Sequence, residues 1–322
     1  MRPPEFWHKR DAVSRAAALW LSPLGRLYGA SVAWKARHAD PVLAGVPVIC
    51  IGNLTVGGTG KTPVAIAVAK ILKAKGRSPA FLSRGYGGRM VGPHMVCKAD
   101  RAADVGDEPL LLLQEAPVVV ASYRPSGARV AVKYGADIIV MDDGHQNFSL
   151  AKDFSIVVVD TDRMFGNGRT IPAGPLREPV AQGLSRAQAV VAMGDGAVEW
   201  GGYPGPVLKA QLVVDATDTR GKSVVAFAGI GNPAKFFRAL RENGSNVVAA
   251  IPFADHHFYS NEEIGRLKDE AGAQAATLVT TEKDLVRLTP EQRAGITVLP
   301  VRAVFEKPAE LQRLLDTLFT SG

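Results

Sequence analysis

Short apolar runs rich in Val and Ile recur from residue 46 onwards and alternate with stretches of helical periodicity. Continuous runs of this kind are typical of parallel strands that are buried on both faces. Those before residue 200 lie at 46–51, 79–82, 118–121, 138–141, 156–159 and 189–192. Helical stretches lie between several of them, at 63–75, 109–114 and 125–134. The alternation predicts an α/β fold built on a parallel sheet.

A stretch rich in Gly and Pro, GDGAVEWGGYPGP at 194–206, interrupts this alternation. We interpret it as a linker, followed by a strand-like ribbon at 207–216. The alternation then resumes and predicts a second, smaller α/β unit. Its predicted strands are 223–228, 247–251, 277–280 and 296–300, and its predicted helices are 233–243, 261–272 and 308–319. We therefore expect an N-terminal segment (1–40), a larger domain (41–205) and a smaller domain (206–322).

The N-terminal segment carries apolar residues at helical spacing. They recur at positions 13, 17, 20, 24, 27 and 34, which places them along one face of a helix. Ser22 and Pro23 suit the N-cap and the first position of a helix, so we expect the helix to restart there. The longest uncharged run, 16–25, is far shorter than the 18 or so apolar residues that a membrane-spanning helix requires. The segment is therefore predicted to be amphipathic and not to span a membrane.

Positive charge is concentrated in the same segment. The whole chain has a net charge of +7, and residues 1–40 hold seven basic residues (Arg2, Lys9, Arg10, Arg15, Arg26, Lys35, Arg37) against three acidic ones. Trp7, Trp20 and Trp34 also lie here. A basic amphipathic helix with tryptophans is typical of one that lies on an anionic membrane surface. The alternative is a helix whose apolar face packs on the protein's own core; nucleic-acid binding fits the pattern less well.

The composition narrows the class of protein further. Of the 322 residues, 47% are hydrophobic and 21% are charged, which excludes disordered and fibrous chains. Cys50 and Cys97 lie far apart and have no neighbouring ligand residues at zinc-site spacing. A disulfide scaffold and a structural zinc site are therefore excluded, and both cysteines are expected to be reduced.

The strongest chemical signal is ICIGNLTVGGTGKTP at 49–63, in which a buried strand leads through a glycine-rich turn into a helix. The glycines let backbone N–H groups approach phosphates, Lys61 reaches the β- and γ-phosphates, and the Thr62 hydroxyl suits Mg²⁺. The loop departs from the GxxxxGK[ST] pattern because Thr55 replaces the first glycine. The predicted nucleotide-binding residues are Thr55, Val56, Gly57, Gly58, Thr59, Gly60, Lys61 and Thr62.

A pair of carboxylates follows another predicted strand, in GADIIVMDDGHQN at 135–147. Acidic residues at the carboxyl end of a strand beside a phosphate loop are typical Mg²⁺ ligands. Successive strand residues face opposite ways, so only Asp142 or Asp143 would point at the metal in a continued strand. The residues alone leave open which of the two does so.

Phosphoryl transfer to a hydroxyl also requires a group that orients or deprotonates the acceptor. The acidic and imidazole candidates are Asp107, Glu108, Glu178 and the cluster Asp255, His256 and His257. Arg84 and Arg177 are candidate contacts for substrate anions, since guanidinium groups suit phosphate oxygens. Each of these residues is also compatible with a surface or helix-capping role.

Seven blocks now occur in order: TVGGTGKTP, LSRGYGG, VGDEP, DDGHQN, PAGPLREP, DHHFYS and VTTEKDLVRL. Together with the basic N-terminal helix, they closely resemble the tetraacyldisaccharide 4′-kinase family, the lipid A kinases of Gram-negative bacteria. The resemblance covers roughly residues 53–288. It implies a P-loop kinase that uses ATP and Mg²⁺ to phosphorylate the 4′-hydroxyl of a tetraacylated glucosamine disaccharide 1-phosphate. It also implies a peripheral protein of the cytoplasmic face of the inner membrane, with no obligate protein partner.

The resemblance assigns roles to individual residues. Asp107 resembles the catalytic carboxylate, and His256 its partner histidine. Asp142 and Asp143 resemble the acidic pair near Mg²⁺, and Arg177 and Glu178 fall in an active-site block, where Glu178 is a further predicted metal ligand. One block departs from the family pattern DDGFQH, because His145 and Asn147 stand where Phe and His are usual.

Other functions remain compatible with a phosphate loop and an amphipathic segment. A membrane-associated P-loop switch or partitioning ATPase would need no residues that activate an acceptor. A GTPase is disfavoured because the guanine-binding pattern NKxD is matched only loosely by Thr281-Glu282-Lys283-Asp284. A lipid-binding protein without enzymatic activity is disfavoured by the intact Lys61-Thr62 pair.

Overall fold

The computed structural model describes residues 4–9, 11–196, 200 and 202–319. Arg2 and Arg10 of the basic segment, residues 197–199 and 201 of the predicted linker, and residues 320–322 lie outside the described residues.

The described strands form two sheets. They are β1 (Val48–Gly52), β2 (Pro79–Ser83), β3 (His94–Met95), β4 (Val118–Val120), β5 (Ile138–Asp142), β6 (Phe154–Asp160), β7 (Ala189–Met193), β8 (Val207–Val214), β9 (Ser223–Ala228), β10 (Asn246–Pro252), β11 (Thr277–Thr281), β12 (Ile296–Leu299) and β13 (Val301–Phe305). The larger sheet has the order β13-β8-β7-β6-β1-β5-β2-β4-β3, and the smaller one β10-β9-β11-β12. Within the larger sheet only the edge strands β3 and β13 pair antiparallel. The predicted α/β fold is confirmed.

Helices flank both sheets. They are α1 (Ala12–Arg37), α2 (Lys61–Ala74), α3 (Ala102–Val105), α4 (Asp107–Leu112), α5 (Arg124–Lys133), α6 (Val180–Leu184), α7 (Pro233–Glu242), α8 (Asn261–Ala273), α9 (Glu282–Leu285), α10 (Pro290–Arg293) and α11 (Pro308–Asp316). Alternate residues of β1 point to opposite faces of the sheet. Ile49 and Ile51 join the core cluster that contains α2, whereas Val48 and Cys50 join the cluster that contains α5.

Both ends of the smaller unit are attached to the larger sheet. The predicted ribbon 207–216 contains β8, which pairs with β7, and β13 pairs in turn with β8. Leu311 and Leu315 of α11 are buried in the same core cluster as α2. The domain limits 41–205 and 206–322 stay a prediction, and the strand pairing shows how closely the two predicted units are joined.

Helix α1 is continuous through Pro23, so the prediction of a restart at Ser22-Pro23 is wrong. The N-cap is Asp11, whose side chain accepts a hydrogen bond from the Ser14 N–H. The Ser22 hydroxyl instead donates to the carbonyl of Ala18 in the preceding turn, at 2.6 Å. The following turn is held by Thr170, whose hydroxyl donates to the Gly25 carbonyl at 2.5 Å. These contacts stabilise the helix across the proline, which itself lies on an exposed position.

The face of α1 that packs on the protein consists of small residues. Ser14, Ala18, Gly25 and Gly29 are buried. The large apolar residues point outward: Val13, Leu19, Trp20, Leu24, Leu27 and Trp34 are between 55% and 84% exposed. The predicted apolar face is therefore not covered by the protein's own core. Among the described residues, no helix combines the length and hydropathy needed to cross a membrane.

Candidate active site

The phosphate-loop residues connect β1 to α2. Gly60, at the N-cap of α2, has a φ of 88°, in the left-handed region that glycine adopts without strain. The Val56 N–H donates to the Pro175 carbonyl at 2.9 Å, and the Arg177 N–H donates to the Leu54 carbonyl at 2.8 Å. These two hydrogen bonds hold the loop against the segment that contains Arg177. The loop leads directly into the N-terminal turn of α2. Helix N-terminal N–H groups in this arrangement bind phosphate.

Lys61 and Thr62 are buried at the start of α2, beside the end of β5. The Thr62 hydroxyl donates to Oδ2 of Asp142 at 3.3 Å. The Lys61 ammonium lies 3.6 Å from Oδ1 of Asp143. The structure therefore brings together four predicted site residues that come from two loops, because β1 and β5 are adjacent parallel strands.

The two aspartates have different environments. Burial and the negative charge of Glu108 raise the pKa of Asp142 to about 7. Its Oδ1 atom is buried and has no hydrogen-bond partner among the described residues. Burial would also raise the pKa of Asp143, but the charges of Lys61 and Arg177 hold it well below its ordinary value. The negative charge of Asp143 is thus balanced by two cations, whereas one carboxylate oxygen of Asp142 has no donor among the residues that the structure describes.

The donor set fits a hard divalent cation. An unpartnered buried carboxylate oxygen and an adjacent hydroxyl are ligands that Mg²⁺ accepts, and Mg²⁺ usually takes only one or two carboxylates together with substrate phosphates. Within the described part of the chain, no three His, Cys, Asp or Glu side chains form a complete metal site. A Mg²⁺ ion held here would take its remaining ligands from water and from substrate phosphates.

Arg177 and Glu178 are held in a network beside this centre. Arg177 donates to both oxygens of Asp143, at 2.8 and 3.1 Å. Glu178 is buried, and its two oxygens accept hydrogen bonds from Gln146 at 2.8 Å and from Arg186 at 2.6 Å. Gln146 also donates to the carbonyl of Asn53 at 2.9 Å. Arg177 therefore joins the Asp143–Lys61 pair, whereas both oxygens of Glu178 are already engaged elsewhere.

A second cluster surrounds Asp107, the first residue of α4. Its Oδ2 atom lies 2.8 Å from Nδ1 of His256, in the loop after β10. The same oxygen accepts hydrogen bonds from Nε and Nη2 of Arg287, at 2.8 and 2.5 Å. Burial would raise the pKa of Asp107, but the hydrogen bonds and charges of His256 and Arg287 hold it below its ordinary value. The side chain is therefore an ionised carboxylate at neutral pH.

The two clusters meet along α4. Glu108 follows Asp107, and its carboxylate lies 3.0 Å from the Lys283 ammonium. The positive charge of Lys283 lowers the pKa of Glu108, and Lys61 contributes in the same direction. The ionised form of Glu108 is thus stabilised by one cation from each cluster, Lys283 and Lys61.

Arg84 lies on an exposed position after β2. Arg124, at the start of α5, is buried, and its Nη1 donates to the Ala121 carbonyl at 2.5 Å. Burial, with a contribution from the nearby charge of Arg84, lowers the pKa of Arg124 to about 10. No residue in the described part of the chain accepts a hydrogen bond from its Nε. A buried guanidinium group with a free N–H is suited to bind an anionic ligand.

Sequence reasoning missed Arg124, Lys283 and Arg287. Lys283 and Arg287 lie within the block VTTEKDLVRL, which was used only for the resemblance. Arg124 lies just beyond the carboxyl end of a predicted parallel strand, where ligand-binding residues of α/β proteins commonly lie. A search for cations within the motif blocks and just beyond the carboxyl ends of the predicted strands would have found all three.

The departures at His145 and Asn147 have local structural roles. His145 is buried, with Nε2 lying 2.9 Å from the Gly183 carbonyl. Burial lowers its pKa to about 4, so the imidazole is neutral at pH 7. The Asn147 side chain accepts hydrogen bonds from the N–H and the hydroxyl of Ser149 and so supports a turn.

A parallel sheet, a glycine-rich loop at the start of α2 and the Lys61–Thr62–Asp142 arrangement define a P-loop protein that binds nucleotide phosphates. The model of the tetraacyldisaccharide-1-P 4′-kinase family matches residues 17–320. The chain belongs to this family. The predicted family and enzyme class, a kinase of lipid A biosynthesis, are thereby confirmed.

Individual relatives are similar in sequence over almost the whole length of the chain. A tetraacyldisaccharide 4′-kinase of Paramagnetospirillum magneticum is 49% identical over 99% of both chains. One of Rhodospirillum rubrum is 48% identical over 99% of this chain and 98% of its own. Among solved structures, LpxK from Aquifex aeolicus, crystallised with ATP, is similar with a TM-score of 0.78 and 26% identity, covering 94% of this chain and 99% of that one.

Proposed function

We propose that this kinase transfers the γ-phosphate of ATP to the 4′-hydroxyl of a tetraacylated glucosamine disaccharide 1-phosphate at a membrane surface. The observation that carries the proposal is the continuity of the two clusters through α4. Lys61 and Thr62 offer a phosphate site, and Asp107, held by His256, offers a carboxylate for the acceptor hydroxyl. A switch or partitioning ATPase would require the first cluster only.

The phosphate loop would bind the ATP phosphates through its backbone N–H groups and the Lys61 ammonium. Thr62 and Asp142 are the residues that would hold Mg²⁺, since one oxygen of Asp142 has no donor within the described part of the chain. Mg²⁺ supplies neutralisation of the charge on the β- and γ-phosphates. Asp143 would orient Lys61 and Arg177, both of which contact its carboxylate. Glu178, predicted as a metal ligand, fits better as a support for the loop, because it is engaged by Gln146 and Arg186.

Asp107 would activate the acceptor. The hydroxyl oxygen attacks the γ-phosphorus, the bond to the β-phosphate oxygen breaks, ADP leaves, and the hydroxyl proton passes to the Asp107 carboxylate. His256 keeps that carboxylate in place through its Nδ1 contact. Arg84 and Arg177 are the proposed contacts for anionic groups of the substrates, and buried Arg124 extends this positive region.

The outward face of α1 is the proposed contact with an anionic membrane. Trp20 is 84% exposed and Leu27 68%, and Arg15, Arg26 and Lys35 are exposed on the same helix. Tryptophan and aliphatic side chains enter the headgroup layer, while Lys and Arg contact anionic lipids. A peripheral position on the cytoplasmic face of the inner membrane would bring the active site to an acylated substrate.

The proposal is tested by the transfer of labelled γ-phosphate to purified tetraacyldisaccharide 1-phosphate, measured beside hydrolysis of ATP by water. We expect lipid-dependent transfer that Lys61→Ala reduces by at least about 10²-fold, because the transition state is stabilised mainly by charge and position. Lys70→Ala is the matched control, since Lys70 lies on the same helix with its side chain 54% exposed. ATP hydrolysis without any transfer to the lipid would favour the switch or partitioning ATPase.

A further inference from the structure

Arg287 contacts the proposed catalytic carboxylate more extensively than His256 does. Its side chain is fully buried, and both Nε and Nη2 donate to Oδ2 of Asp107. Its third nitrogen, Nη1, donates to the Gly229 carbonyl at 2.7 Å and to Oδ1 of Asp284 at 2.9 Å. The guanidinium is thus fixed on two sides and has a single orientation toward Asp107.

Asp284 in turn has a complete set of donors. Its oxygens accept hydrogen bonds from the Gly229 N–H at 2.9 Å, from the Tyr259 hydroxyl at 2.7 Å and from the Thr281 hydroxyl at 2.6 Å. Both Asp284 and Thr281 are buried. A buried ion pair with all its polar atoms satisfied is rigid, because any displacement leaves a charge without a partner. The residues that hold Arg287 come from the part of the chain that forms the smaller sheet.

The two oxygens of Asp107 consequently differ. Oδ2 receives three hydrogen bonds, one from His256 and two from Arg287. Oδ1 accepts none from the described residues. An acceptor hydroxyl approaching Asp107 would therefore find only one oxygen with free lone pairs.

We propose that Arg287 is a positioning residue for phosphoryl transfer, which occupies Oδ2 of Asp107 together with His256 and leaves Oδ1 to accept the lipid hydroxyl. This inference rests on the proposed function, in which Asp107 activates that hydroxyl. His256 touches the carboxylate from the loop after β10, where its ring also contacts the exposed Tyr86. Arg287 holds the opposite, buried side.

The charged groups around Asp107 come from three elements. His256 faces it from the loop after β10, with Asp255 3.9 Å from the far side of the imidazole. Arg287 faces it after α9, with Asp284 behind the guanidinium and Lys283 paired to Glu108 on α4. Replacement of Arg287 by a neutral residue removes a cation that favours the ionised carboxylate. The pKa of Asp107 should rise, and the acidic limb of the rate profile should move to higher pH.

The test compares lipid phosphorylation by the full-length wild type, Arg287→Gln, Arg287→Lys and Arg266→Gln across pH, with KM for ATP measured in parallel. Arg266, exposed on α8, is the matched control. For Arg287→Gln we expect kcat to fall about 10- to 100-fold, the size typical of lost support to a functional ligand, with KM for ATP unchanged. Its acidic limb should lie at higher pH than that of the wild type.

Arg287→Lys keeps the charge but cannot form two fixed hydrogen bonds to one oxygen. We expect its acidic limb to match that of the wild type and its kcat still to be lower. This result would distinguish the effect of orienting Asp107 from the effect of the positive charge. A wild-type kcat and acidic limb in folded Arg287→Gln would overturn the inference, as would a wild-type kcat in Arg287→Lys if only the lysine variant folds. Asp107→Asn distinguishes a failure of this inference from a failure of the proposed function. Full activity in that variant would contradict the proposed role of Asp107 itself.

Discussion

The Nδ1 atom of His256 lies 2.8 Å from Oδ2 of Asp107, although 149 positions separate the two residues in the chain. Two further ion pairs, Asp107–Arg287 and Glu108–Lys283, join α4 to α9 and to the residues just after it. The proposed acceptor site is therefore formed jointly by α4, the loop after β10 and the residues that follow α9.

Asp107 and His256 should act as one unit. We expect Asp107→Asn and His256→Gln each to lower kcat by about 10²- to 10⁴-fold, the usual contribution of a general base. The double variant should be no slower than the slower single variant, because residues that act together are not additive. Steady-state kinetics on the lipid acceptor provide the measurement.

His257→Gln is the control for that cycle, since His257 is adjacent in sequence but contacts Glu263 and stacks on Phe253. It should keep most of the wild-type rate. Losses that multiply in the double variant would show that Asp107 and His256 act independently.

Thr62 should govern the Mg²⁺ requirement. Its hydroxyl contacts Asp142, so Thr62→Ala is expected to raise the Mg²⁺ concentration needed for half-maximal activity by about 10-fold or more, in keeping with the loss of a metal ligand or of its support. Thr62→Ser keeps the hydroxyl and should behave like the wild type. Titration of activity with Mg²⁺ at saturating ATP distinguishes the variants, and identical curves for all three proteins would exclude Thr62 from the metal site.

The outward face of α1 should determine membrane binding. The triple variant Trp20→Ser, Leu24→Ser, Leu27→Ser removes exposed apolar area without disturbing the buried face, so we expect at least about 10-fold weaker sedimentation with anionic vesicles. High salt should weaken binding of the wild type, because the basic residues are exposed. Tyr134→Ser, at a residue 70% exposed beyond α5, is the control. Undiminished vesicle binding by the triple variant would assign the membrane contact to another surface.

Gly25 and Gly29 should respond differently to the same substitution. A Cβ atom at Gly25 would lie 2.7 Å from the Thr170 carbonyl oxygen, whereas one at Gly29 would lie 3.5 Å from the Thr170 methyl group. Overpacking should make Gly25→Ala destabilising by about 1 to 3 kcal/mol. Gly29→Ala should be neutral or stabilising by up to about 1 kcal/mol, through helix propensity. Urea unfolding measures both, and equal effects would show that the packing of α1 on the Thr170 loop is looser than described.

The two cysteines should differ in reactivity. Burial raises the pKa of the Cys50 thiol to about 11, so almost no reactive thiolate is present near pH 8. Cys97 is exposed. A thiol reagent should therefore modify one cysteine in the native protein and two in denaturant. Rapid modification of both in the native protein would contradict the buried position of Cys50.

Much of the architecture could be predicted because strand and helix periodicity depend on nearby residues. The apolar runs at 79–82 and 138–141 became β2 and β5, and the helical pattern at 261–272 became α8. The short edge strands β3 and β13 were not predicted, since an edge strand carries little apolar signal of its own. The restart at Pro23 was predicted wrongly, because the contacts of Ser22 and Gly25 with the distant segment 169–170 outweigh the local preference of proline.

The sequence by itself determined the family and the phosphate loop, and its resemblance to the family singled out Asp107 and His256 as the predicted catalytic pair. Each of these is carried by a short motif whose residues are contiguous. Only the tertiary structure decided how those motifs are arranged. It paired Asp143 with Lys61 and Arg177, left an oxygen of Asp142 without a partner among the described residues, and placed Arg287 on Asp107 across 180 positions of chain. It also turned the large apolar residues of α1 outward. Such contacts depend on which chain segments pack together, and the packing of distant segments leaves no periodic pattern in the chain.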